Sequence, residues 1–224
     1  MTPRHALVVV GLLAALVAAP AGSAHQTPPA STTRVAAPDA VLGLWESAEK
    51  SNGGIGGALE FRTGGAAAVG NVVLVDAFYQ VKDGTVILSE QAGGPPIPGS
   101  TLPLTIDGGD WKASAGGQQI VKTRVGTAVA GQSPIVGVWK YTHPTGAPAW
   151  ERYTGEGTMF LRVVLSATAA TYVVSGSTVT ISGAGGTPTF RGALDGDALT
   201  MTTADGRATR YLRASPANWY ELKR

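Results

Sequence analysis

The chain has no cysteine and three histidines, at positions 5, 25 and 143. A thiol nucleophile, a disulfide and a Cys- or His-rich metal site are therefore all excluded. A Ser-His-Asp arrangement would have to use His143, which sits in a Thr-His-Pro-Thr-Gly stretch that reads as a surface loop. No Gly-x-Ser-x-Gly elbow accompanies it, and Ser175-Gly176-Ser177 reads as a hairpin turn. The carboxylate pairs closest in sequence are Asp107/Asp110, Asp195/Asp197 and Glu151/Glu156. A glycosidase-like site needs two such groups, but the first two pairs fall on turn glycines, where Asp is used for its own backbone hydrogen bonds. No alternating Asp run suggests a calcium loop. The glycine-rich stretch 51–61, "SNGGIGGALEF", lacks the Gly-Lys of a phosphate loop and leads into a strand pattern, so it reads as a long hairpin loop. The sequence offers no catalytic constellation, no metal site and no cofactor site. An enzyme using Tyr and Arg alone is the weakest of the functional classes it leaves open.

The elements that would position any site are strands. Residues 178–182 alternate Val179 and Ile181 with Thr178, Thr180 and Ser182, a period of two that turns the aliphatics to one face. Asp83-Gly84, Asp107-Gly108, Ser175-Gly176, Asp195-Gly196 and Asp205-Gly206 punctuate the chain with hairpin signals. No sustained helical period occurs. The fold class expected is all-β, an antiparallel meander closing into a barrel or folding into a sandwich.

The chain also repeats itself. "VLGLWES" at 41–47 returns as "IVGVWKY" at 135–141, and "YQVKDGTVILS" at 79–89 returns as "YVVSGSTVTIS" at 172–182. "IDGGDWKAS" at 106–114 matches "LDGDALTMT" at 194–202, and "IVKTR" at 120–124 matches "RYLR" at 210–213. Four blocks in the same order and spacing mark a duplication. Its units are 41–125 and 135–213, with a linker at 126–134 and a C-terminal tail or extra strand at 214–224.

Gly43-Leu44-Trp45 with Arg124, and Gly137-Val138-Trp139 with Arg213, resemble the lipocalin signature. The resemblance implies two lipocalin-like barrel repeats, each plugged at one end by its tryptophan beneath an arginine of that repeat's last strand. An arginine covers an indole well, by cation–π contact and through its aliphatic stem. Each repeat is much shorter than a full-size lipocalin. Either each closes its own small barrel, or the two combine into one larger pseudo-symmetric barrel or sandwich.

Residues 1–24 have a basic start, an apolar run and a small-residue ending, the layout of a signal peptide, and 25–40 reads as a flexible Pro/Ala/Thr leader. An exported protein, periplasmic or extracellular, with no membrane span after cleavage is expected. A formal net charge of only +2 gives no general case for nucleic acid. By resemblance, the function expected is non-catalytic binding of a small apolar or amphipathic ligand or lipid. Phe61, Tyr79, Trp111, Trp150 and Tyr172 are the aromatic candidates for lining its pocket. The competing expectation is a protein-interaction module, such as an envelope scaffold or a secreted protease inhibitor.

Overall fold

The computed structural model describes residues 38–222, apart from 116, 117, 129, 184–188 and 217. The expected signal segment, and all of the leader before Pro38, lie outside the described residues. The chain is all-β, as its periodicity predicts. Fifteen antiparallel strands form one sheet. They are β1 (Gly43–Ser47), β2 (Ile55–Phe61), β3 (Ala66–Lys82), β4 (Thr85–Ser89), β5 (Pro96–Pro103), β6 (Thr105–Asp107), β7 (Asp110–Ala115) and β8 (Gln118–Val125). The second repeat supplies β9 (Gly137–Thr142), β10 (Pro148–Tyr153), β11 (Thr158–Ser175), β12 (Thr178–Gly183), β13 (Thr189–Asp195), β14 (Ala198–Thr203) and β15 (Ala208–Arg213). The glycine-rich loop is shorter than expected. It ends at Gly54, because Ile55–Phe61 already pairs with both β1 and β3.

The two longest strands, β3 and β11, lie antiparallel from Ala66 opposite Thr171 to Phe78 opposite Thr158, with a register shift between Val164 and Ser166. This ribbon is shared by two rings. Ring one runs β3-β2-β1-β15-β14-β13-β12-β11 and closes through the β3–β11 ladder, giving eight strands. Ring two runs from β3 through β4 to β5 and, on its other side, from β11 through β10, β9, β8 and β7 to β6. Its ladder is interrupted between β5 and β6. There the indole N–H of Trp111 donates to the Pro103 carbonyl (2.8 Å), tying β7 to β5. Pro96, Pro98 and Pro103 remove backbone donors from β5, which keeps that edge from templating further pairing.

Neither ring belongs to one repeat. Ring one takes β1 and β2 from the first repeat and β12–β15 from the second, while ring two takes β4–β8 from the first and β9 and β10 from the second. The repeats have exchanged their opening hairpins. The exchange corrects the expected plugs: Trp45 lies under Arg213 (4.1 Å from guanidinium carbon to ring centroid) and Trp139 under Arg124 (4.2 Å). In each repeat the tryptophan is covered by the other repeat's arginine. Cutting the chain at the exposed linker, for example within a protease sequence inserted after Thr127, should therefore leave one particle of unchanged size in gel filtration. Separation into two half-size particles without denaturant would contradict the exchanged topology.

Each ring holds an apolar interior: Trp45, Phe61, Tyr172, Ile181 and Leu199 in ring one, and Trp111, Ile135, Trp139, Tyr153 and Met159 in ring two. A third cluster lies on the opposite face of the shared ribbon. Here the C-terminal segment lays Ala214, Trp219, Tyr220 and Leu222 over Leu44, Ala58, Val72, Leu74, Trp150 and Val164. The segment is a tail and not an added strand. Beneath it Arg162 holds Glu46 through two hydrogen bonds (2.7 and 3.0 Å) and Asp76 through one (2.8 Å), tying β11 to β1 and β3. Among the described residues no helix is long and apolar enough to cross a membrane.

Candidate functional site

The exchange makes the two rings comparable residue by residue. In β1 and β9 the indole N–H donates four residues back, from Trp45 to Val41 O (2.8 Å) and from Trp139 to Ile135 O (2.7 Å). Arg213 donates to the carbonyls of Leu42 and Ala40, as Arg124 does to those of Val136 and Pro134. The glycines serve that arginine. Gly43 (φ +115°) and Gly137 (φ +136°) occupy left-handed backbone, and a Cβ there would stand 3.0 Å from Arg213 Nη1 or 2.5 Å from Arg124 Nη1. Only glycine leaves room for the guanidinium. The recurrent tyrosines are equivalent too: Tyr172 donates to Arg62 O (3.1 Å) and packs edge-on against Phe61, while Tyr79 donates to Thr154 O (2.7 Å) and packs edge-on against Tyr153.

Against this background a cluster of five inward positions differs in character. Ring two carries Trp111, Lys122, Tyr141, Glu151 and Tyr153. Ring one places Leu199, Tyr211, Ser47, Leu59 and Phe61 at the matching points of the ladders. Lys122 donates to Glu151 Oε2 at 2.6 Å, with the two side chains only 3% and 8% exposed. Tyr153 donates to the same oxygen (2.7 Å) and Tyr141 to Oε1 (2.8 Å). The ammonium also lies over the rings of Trp111 (4.1 Å) and Tyr141 (5.0 Å). Burial pushes the Glu151 carboxyl up, but the Lys122 ammonium and three hydrogen bonds overcome it and hold the group below the usual carboxylate range. Burial, and then the Glu151 charge, raise both tyrosine hydroxyls well above theirs. The quartet is a buried network centred on the Glu151 carboxylate. It holds one charge pair and two phenol hydroxyls in place.

Glu151 is thus paired with Lys122 and not with Glu156. Asp107 reaches Lys112 (3.8 Å) and Asp197 reaches Arg213 (3.2 Å), so those carboxylates serve the turns and plugs. His143 lies on the β9–β10 turn, with Nδ1 2.9 Å from the Thr145 hydroxyl. Among the described residues no group of three or more His, Asp or Glu could hold a metal ion.

The aromatic candidates are not brought together. Phe61 and Tyr172 are inside ring one, Tyr79 and Trp111 inside ring two, and Trp150 lies under the C-terminal tail beside Tyr220. Tyr79 borders a small pocket of about 110 Å³, and a larger open space lies on the outer face of β8 and β9. Val121, Thr123, Val125, Lys140 and Thr142 share this face by register. With Arg124, Tyr141 and the Thr145–Pro148 turn they border an open depression of about 630 Å³. Val121 and Val125 are 47% and 49% exposed. Tyr141 belongs to both places, bordering the depression while its hydroxyl is held by Glu151. Sequence reasoning passed over these residues, because alternation makes them ordinary solvent-facing positions; the signal available was the pair of valines at 121 and 125.

Comparison with known protein families, with curated proteins and with solved structures finds no match for this chain.

Proposed function

We propose that this is an exported, non-catalytic binding protein whose ligand is a small apolar or amphipathic molecule seated in the depression on β8 and β9. The observation that carries the reading is the depression itself. Its volume falls in the range of small-molecule sites, and its lining combines exposed valines with threonine hydroxyls and a lysine on a rigid antiparallel ladder. Each ring interior holds an apolar cluster of its own side chains, so this reading seats the ligand outside the barrel and departs from the interior site that the lipocalin resemblance implies.

The test is titration with single-chain amphiphiles below their micelle concentration: dodecanoate, dodecyl maltoside and dodecyltrimethylammonium. At least one should bind with one-to-one stoichiometry. The variant V121D/V125D, which alters only exposed positions, should weaken that binding more than tenfold with an unchanged melting curve. Absence of binding by all three, or binding that the variant leaves intact, would overturn the reading. Retention of a polypeptide in place of an amphiphile at this face would favour the protein-interaction alternative.

A further inference from the structure

We infer that the depression selects an anionic amphiphile, with its head group against Lys140 and its hydrocarbon chain along Val121 and Val125. The inference rests on the small-ligand reading above and adds the chemical class of the ligand.

The first argument is charge. The depression is bordered by Lys140 and Arg124 and by no carboxylate. Of the acidic groups near it, Glu151 is already neutralised by Lys122 at 2.6 Å inside the ring, and Asp110, opposite Thr123 on the β7 side, does not border the depression. Arg124 has its guanidinium over Trp139 and two backbone carbonyls as partners, and among the described residues no carboxylate forms an ion pair with it. Lys140 is exposed, its ammonium 5.2 Å from the Trp150 ring, with no carboxylate partner among the described residues. Thr123, directly opposite Lys140 in the ladder, and Thr142, two residues along the same strand, add hydroxyl donors on the same face. One cation with flanking hydroxyls, next to exposed aliphatics, complements a head that is negative and a tail that is apolar.

The second argument is the internal comparison. The position matching Lys140 in ring one is Glu46, the next residue after the plug tryptophan, and its carboxylate is consumed by Arg162. The position matching Val125 is Ala214, which follows the plug arginine and is 5% exposed in the cluster it forms with Trp219, Tyr220 and Leu222. One ring therefore has the position after its plug arginine buried and its charge internally paired, although Leu212, which matches Thr123, is 43% exposed. The other has that position open, its valine 49% exposed and its lysine without a carboxylate. What differs between the copies is what a ligand of this class requires.

Dodecanoate should bind more tightly than dodecyl maltoside or dodecyltrimethylammonium, and its affinity should fall as salt is raised, because an exposed charge contact is screened. Lys140→Glu, which installs the ring-one residue, should weaken dodecanoate about tenfold and favour the ammonium amphiphile. Lys140→Met keeps the stem over Trp150, removes only the charge and should give an intermediate loss. Equal affinity for all three amphiphiles, with V121D/V125D abolishing each, would overturn the head-group assignment and leave the small-ligand reading intact. No binding of any would remove both. Binding to anionic vesicles alone, and not to monomeric dodecanoate, would also overturn it, since a membrane surface and not a single molecule would then be the partner.

Discussion

Glu151→Leu is expected to destabilise the protein by about 3–5 kcal/mol, the cost of leaving one member of a buried ion pair without its partner. The leucine is apolar and of suitable size, so the loss comes from what it abandons. Lys122 would be left at 3% exposure with only aromatic faces beside it, and the hydroxyls of Tyr141 and Tyr153 would lose their acceptor. The second half of the prediction separates a fold requirement from a local device. Ring one reaches the same geometry with Leu199, Tyr211, Ser47, Leu59 and Phe61, including the same indole and guanidinium hydrogen bonds. Installing that set in ring two, as W111L/K122Y/Y141S/E151L/Y153F, should recover most of the loss in a chemical denaturation experiment. It should also impair ligand binding, since Tyr141 borders the depression. If the fivefold variant is no more stable than Glu151→Leu alone, the two rings are not energetically interchangeable and the residue matching is wrong.

How much of this was legible beforehand depends on whether the information is local. Strand formation is local: the period of two at 178–182 and the Asp-Gly turns predict β12 and the hairpins where the structure has them. The duplication is also legible, because blocks recur in order. Strand partnership is not local. Trp45 and Arg124 open and close one repeat, so sequence order pairs them, but the hydrogen-bond register puts Trp45 opposite Arg213 and Trp139 opposite Arg124. The pattern of a strand says which face is apolar, and both arrangements satisfy it equally. The same blindness hid Lys122–Glu151. These residues come from different repeats and meet only because β8 and β9 are neighbours after the exchange. A trace of the pair was present in the aligned repeats, where Lys122 matches Tyr211 and Glu151 matches Leu59. Two complementary charges at inward-facing positions of one copy alone are a pairing signal.

The exchanged plugs give the other large effect. Trp45→Ala and Trp139→Ala should each cost about 3–5 kcal/mol, because both indoles are fully buried, each beneath an arginine. The partner of each is decided by a double-mutant cycle. Trp45 should couple to Arg213, by about 0.5–2 kcal/mol for a partly desolvated cation–π contact, and should be additive with Arg124. Trp139 should couple to Arg124 and be additive with Arg213. Leucine in place of each arginine retains an aliphatic cover for the ring and isolates the charge and the two carbonyl hydrogen bonds. Coupling of Trp45 with Arg124 would mean that each repeat closes on itself in solution, and the shared ribbon would then join two independent barrels. Coupling across the repeats leaves a stronger constraint: neither half can close either ring without the other, so an alteration in the first repeat is felt at the plug of the second.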